Sequence, residues 1–173
     1  SRSWRQAALV GWLFGIGWLV GTFWWLFTSM HTYGGLAAPL AALAVLGLAA
    51  FLAVFYALVC ACFKALAPAH WAGRALVFAA LWLLAELARG TWLTGFPWGA
   101  VGYAHVDGPL AWLAPIMGVY GMSFVAALLS ALLAALLVPG RRRFWGPVSA
   151  VALVLALAWA PAIPCSTRRG QLD

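Results

Sequence analysis

Charge is scarce in this 173-residue chain: only 8% of its residues are charged, and Asp and Glu together number three. With 66% hydrophobic residues and a mean hydropathy of +1.00, such scarcity excludes a water-soluble protein closed over one apolar core. The chain reads as an integral membrane protein. Cysteine is scarce too, with Cys60, Cys62 and Cys165 alone. Cys60-Ala61-Cys62 lies inside an apolar run with no second pair elsewhere, so no zinc framework forms and both read as small buried hydrophobes. Cys165 has no neighbouring base that would make it a nucleophile.

Basic residues are the exception, giving a formal charge of +7. The ten Lys and Arg are scattered between apolar runs instead of gathered on one face with stacking aromatics, which excludes nucleic acid and points to membrane topology. Since about 20 apolar residues cross ~30 Å of hydrocarbon, five spans are expected: Ala7 to Met30, Leu36 to Phe63, Arg74 to Arg89, Pro115 to Val138 and Phe144 to Ala160. The third is the shortest and carries Glu86. Pro39 falls in the first turn of the second, where its missing N–H costs nothing.

With the N-terminus cytoplasmic, Arg2, Arg5, Lys64, Arg74, Arg141, Arg142 and Arg143 lie inside, seven of the ten basic residues. Arg89, Arg168 and Arg169 then fall outside, as do residues 31–35, the loop 90–114 and the C-terminal tail. Residue 1 is Ser, and the first run is too long for a signal-peptide core and lacks an A-x-A cleavage site, so the sequence reads as an excerpt. Gly11, Gly15, Gly17 and Gly21 make two small-xxx-small pairs on different sides of the first span, each suited to a close helical neighbour. The fragment GIGWLVG has the spacing GxGxxxG and no preceding strand, so it is packing surface and not a nucleotide fingerprint.

Glu86 is the one carboxylate inside an apolar run, and ionisable groups at membrane depth are functional candidates because they are costly there. Arg89 follows on the same helix face and is expected to neutralise it as an ion pair, or to help orient the following loop. His31, His105 and Asp107 fall on the same external side without the spacing of a metal site, and Ser29, Ser123 and Ser130 have no nucleophile elbow. No metal, cofactor or catalytic set is expected within the chain.

The strongest local signal is LTGFPWGAVGY, residues 93–103. Pro97 forces Phe96 out of the helical region, and Gly95, Gly99 and Gly102 permit tight turns. Trp92, Phe96, Trp98 and Tyr103 supply amphipathic rings at head-group depth, but an aromatic belt alone does not explain the glycines and proline between them. Non-helical backbone at this depth must be covered by protein or line a cavity. A re-entrant or interfacial loop forming one wall of a lipid-accessible site is therefore expected.

The segment ELARGTWLTGFPWGAVGYAHVDGPLAWLAPIMGVYGMSF, residues 86–124, resembles the membrane-domain signature of the apolipoprotein N-acyltransferases. The resemblance rests on Glu86 to Gly90, Thr94 to Trp98, Gly102-Tyr103, Leu113 to Pro115 and Gly118 to Phe124, and more loosely on Trp24-Trp25 through Gly35. It implies an enzyme of the bacterial inner membrane that moves an acyl chain from a phospholipid to the α-amino group of a diacylglyceryl-modified cysteine in an apolipoprotein. In that family a nitrilase-like periplasmic domain follows the membrane helices and carries a Glu-Lys-Cys triad. The implied reaction is ping-pong: the thiolate attacks the phospholipid ester to give a thioester, and the lipoprotein amine then attacks the thioester. The triad lies outside this chain, and Glu86, Lys64 and the three cysteines match none of its motifs.

The expected fold is all-α: a polytopic transmembrane helix bundle over residues 1–163, with an exposed linker at 164–173 leading toward the missing catalytic domain. Glu86, Arg89, Phe96, Trp98 and Tyr103 are the expected substrate-positioning residues. The competing readings are a small transporter or channel and a non-catalytic membrane scaffold. A single intramembrane carboxylate and the lack of paired broken helices weigh against transport.

Overall fold

A computed structural model of the chain describes residues 3–92, 95–108 and 110–137, together with positions 148 and 152. The expected fifth span at 144–160, those two positions apart, and the linker at 164–173 lie outside the described residues. What is described is all-α, with no strand among the described residues. Helix α1 covers Trp4–Thr22, α2 Trp24–Thr28, α3 Ala38–Leu66, α4 Trp71–Thr91 and α5 Ala114–Leu137. Three helical segments, Ala38–Leu66, Trp71–Thr91 and Ala111–Ala135, are long and apolar enough to cross a membrane. A fourth span is possible by the same measure if α1 and the helix that follows it count as one.

Helix α1 opens with a capping box in which Ser3 and Gln6 exchange side-chain to backbone hydrogen bonds of 3.0 and 3.4 Å. Its buried stripe is Gly11, Gly15 and Leu19, one residue per turn, and it packs on Ala49, Leu52, Ala53 and Tyr56 of α3. A Cβ at Gly11 would stand 2.6 Å from the Tyr56 carbonyl oxygen and one at Gly15 2.8 Å from the Tyr56 ring, so both glycines permit this close approach. The second glycine pair behaves differently. Gly17 and Gly21 face open space, with no described neighbour within 4 Å of an added Cβ.

The apolar run at 7–30 is not one straight rod. The chain bends by 53° between Thr22 and Trp24, at the fully buried Phe23, and then passes through α2 and a π-helical turn, Ser29–Tyr33. Helix α3 has Pro39 in its first turn, where its ring is accommodated without loss of a helical hydrogen bond. Helix α4, at 21 residues, is longer at both ends than the expected 74–89 span. Between α4 and α5 the chain makes two short 3-10 helices, Val101–His105 and Ala111–Leu113, where the sequence suggested an unbroken loop at 90–114. Helix α5 is itself kinked at Gly118, whose φ of 65° and ψ of −172° are open to glycine and strained for any other residue.

The two glycine pairs make a direct stability test. Gly15→Leu is expected to lower detergent-solubilised stability by about 1–3 kcal/mol through overpacking against Tyr56 and Ala53, whereas Gly17→Leu should stay within about 0.5 kcal/mol. Thermal or denaturant unfolding of the two variants side by side checks this, and equal losses would contradict the packing described.

Candidate functional site

Helix α4 ends at Thr91, and the backbone then turns back on it. The Gly95 amide donates to the Trp92 carbonyl (2.9 Å) and the Phe96 amide to the Arg89 carbonyl (2.8 Å). Gly95 and Gly99 have φ of 78° and 81°, left-handed values that a side chain resists. Gly102 has a different reason to be glycine: a Cβ there would collide with the Val119 carbonyl oxygen of α5. Its amide donates to the buried Ser123 hydroxyl at 2.8 Å. The three glycines of LTGFPWGAVGY thus serve two turns and one close approach.

Glu86 and Arg89 are both buried, each 1% exposed, yet they do not turn toward one another. Glu86 Oε1 accepts from the Trp82 indole N–H (3.0 Å) and from the Val101 backbone amide (2.9 Å). Arg89 Nη1 donates to the carbonyl oxygens of Phe96, at 2.9 Å, and of Trp98. No direct hydrogen bond joins the carboxylate to the guanidinium, which corrects the expected ion pair. The physical reason is that the helix has ended: carbonyls and amides at 96–101 have no helical partners, and a charged group bonds them more strongly than a neutral one. Glu86 Oε2, Arg89 Nε and Nη2, and the nearby Tyr56 hydroxyl have no hydrogen-bond partner among the described residues.

The break is also fastened from α1. The Trp18 indole N–H donates to the Gly99 carbonyl at 3.4 Å, and an added Cβ at Gly99 would meet Thr22 Cγ2 at 2.9 Å. Phe96 inserts edge-on against Phe23, with ring centroids 5.1 Å apart, so the bend of the first run and the break after α4 interlock. Phe96 is partly buried against this cluster, while Trp98 and Tyr103 remain 55% and 52% exposed. Together with Trp18, Trp25 and Pro97 those two exposed rings line an apolar groove of about 580 Å³.

Of the expected positioning residues, then, Trp98 and Tyr103 line one groove, Phe96 wedges the break, and Glu86 and Arg89 act on its backbone. The other external candidates are not drawn in. The His31 ring Nδ1 bonds the Leu36 carbonyl at 2.8 Å, His105 ends the first 3-10 helix, and Asp107 is exposed. Among the described residues no three His, Cys, Asp or Glu gather to hold a metal. Trp18, Trp82 and Ser123 were not anticipated. Trp82 had a readable signal, one helical turn before Glu86; Trp18 and Ser123 reach the break from 81 and 21 residues away, with no local cue.

Residues 1–132 match the family described as the apolipoprotein N-acyltransferase N-terminal domain, and the chain belongs to that family. It is similar to the apolipoprotein N-acyltransferase of Verminephrobacter eiseniae, 60% identical over 130 residues that cover 75% of this chain and 24% of the relative. The protein of that name from Ralstonia nicotianae is 48% identical over 158 residues, covering 90% of this chain and 30% of the relative. That from Pseudomonas putida is 47% identical over 161 residues, 89% of this chain and 30% of the relative. The chain therefore spans about a quarter to a third of the length of the curated relatives it matches.

Removing one end of either clamp should loosen the break before it unfolds the bundle. In Glu86→Ala the Val101 amide loses its acceptor, and its hydrogen exchange is expected to quicken about tenfold or more, the equivalent of the 1–3 kcal/mol for a buried group left unpaired. Glu86→Gln, which keeps an acceptor oxygen, should change it far less. Exchange measured on detergent-solubilised protein decides this; unchanged protection at Val101 in Glu86→Ala would remove the carboxylate from the break's support.

Proposed function

We propose that this member of the apolipoprotein N-acyltransferase N-terminal domain family is the membrane part of an enzyme that transfers an acyl chain from a phospholipid to the N-terminal diacylglyceryl-cysteine of apolipoproteins. In this reading it is a five-span domain over residues 1–163 of a bacterial inner-membrane protein, with a cytoplasmic N-terminus. The run at 144–160 is the fifth span, and 164–173 leads to a periplasmic catalytic domain. The nucleophile and its base belong to that domain, and no residue of this chain forms or breaks the acyl bond.

The observation that carries the proposal is the construction of the break at 95–103. A non-helical segment is held by two buried charged side chains while two large aromatic rings stay exposed over an apolar groove. Ordered backbone under exposed rings suits the positioning of an amphipathic substrate, because orientation supplied in advance need not be gained at the moment of reaction. Trp98 and Tyr103 would bear on the lipid or the lipoprotein's diacylglyceryl group. Glu86, Arg89 and Phe96 would act through them, as positioning residues whose own contacts are to the protein.

The test uses a full-length protein in membranes. Trp98→Ala with Tyr103→Ala is expected to lower acyl transfer about 10²-fold, the scale of a misplaced substrate, while membrane insertion and abundance stay unchanged. Wild-type transfer by the double variant would remove the groove from the reaction.

A further inference from the structure

The opposite end of the bundle carries a second feature that the break does not explain. Lys64, in the last turn of α3, and Arg74, in the first turn of α4, are both exposed and line one cavity beside the short turn at 67–70. Arg74 rests its guanidinium over the Phe63 ring, 5.7 Å from the centroid. Among the described residues nothing acidic balances them: Glu86 is about 18 Å further along α4 at 1.5 Å per residue, and Asp107 lies beyond the break. Trp71 stands at the same level, an amphipathic ring of the kind that marks the head-group region.

Two apolar cavities, of about 390 and 550 Å³, open on either side of this pair and share Phe63 and Arg74 in their walls. A third cavity of about 420 Å³ shares Phe78 and Ser130 with the first, and Val10 and Cys60 with the second, and reaches Tyr56 and Trp82. The three adjoin one another as a crevice between α1, α3, α4 and α5, whose inner end also meets Trp18 and, in the break, Val101. From Arg74 to Trp82 it runs ~12 Å along α4, close to the ~15 Å of hydrocarbon in one leaflet.

A basic rim over an apolar crevice of one leaflet's depth matches one kind of molecule. We infer that this crevice binds an anionic phospholipid, its phosphate held by Lys64 and Arg74 at the end of the bundle away from Trp98 and Tyr103 and its acyl chains lying along Phe63, Phe78 and Cys60. The paired cations supply the selectivity for negative head groups and Arg74 the hydrogen-bond donors for a phosphate. The inference goes beyond acyl transfer and does not rest on it, since Arg74 lies ~22 Å from Arg89 along α4.

The full-length protein in detergent, titrated with phosphatidylglycerol or phosphatidylcholine and read by native mass spectrometry, tests this. The expected result is at least tenfold stronger retention of phosphatidylglycerol, reduced about tenfold or more in Lys64→Ala/Arg74→Ala, as two near-surface cations predict, and restored by Arg74→Lys with Lys64→Arg. Ala134→Phe, which fills the crevice beside Phe78 without touching the charges, should weaken retention as well. Equal retention of the two lipids, or no change in the double alanine variant, overturns the inference. So does displacement of the lipid by inorganic phosphate at the concentration of the lipid itself, which would mark a free-anion site. A high-yield disulfide between Cys60 and a cysteine placed by Leu155→Cys would also overturn it, by showing that the run at 144–160 of the same chain fills the crevice.

Discussion

Every backbone polar group at membrane depth must find its partner inside the protein, because hydrocarbon offers none. A helix meets this condition by itself, and a chain that leaves the helix there must meet it another way. Here the solution lies in two charged side chains of the helix just left behind. Arg89 donates to the Phe96 and Trp98 carbonyls and Glu86 accepts from the Val101 amide, so the last two turns of α4 continue to serve the backbone after their own ladder has ended. The groove with Trp98 and Tyr103, the seat of Phe96 and the junction with α5 all follow from that arrangement.

The use of charge in this role has an energetic logic. Burying either ion alone costs several kcal/mol, and an amide or carbonyl left bare costs about 1–3 kcal/mol. Placing one ion of each sign a helical turn apart keeps the site neutral as a whole while each meets backbone groups of opposite polarity. The neutral alternatives would hold the same backbone more weakly. Interlocking adds to it: Trp18 bonds Gly99 from α1, Phe96 packs on Phe23, and Ser123 receives Gly102 from α5, so three helices fix a segment of fewer than ten residues.

Much of this was legible in the residues. Apolar runs separated by basic turns announced the helices, Pro97 with its flanking glycines announced the break, and Glu86 stood out by its cost. What could not be read was direction. Glu86 and Arg89 share a helix face and so suggested a pair, but a side chain's partner depends on which backbone arrives beside it, and 96–101 arrives by a turn that spacing does not specify. The bend at Phe23 was hidden for a similar reason: the run at 7–30 is apolar throughout, with no proline, and its two directions are set by packing against α3 and the break. Likewise the two glycine pairs look alike in sequence, and among the described residues only Gly11 and Gly15 meet a neighbour.

The clamp also constrains how the protein is made. Glu86 and Arg89 precede their backbone partners in the break by 7 to 15 residues, so α4 leaves the ribosome with two charges that emerge ahead of the acceptors and donor that will meet them. Each such charge opposes helix insertion by about 2.5–3.5 kcal/mol at the centre of a span. Their place in the last two turns of α4 keeps them away from the helix centre, where that cost is greatest, and at about 5–20 residues per second the backbone they bond follows within about three seconds. The shortness of that interval makes the hand-over from translocon to the clamped backbone a local event.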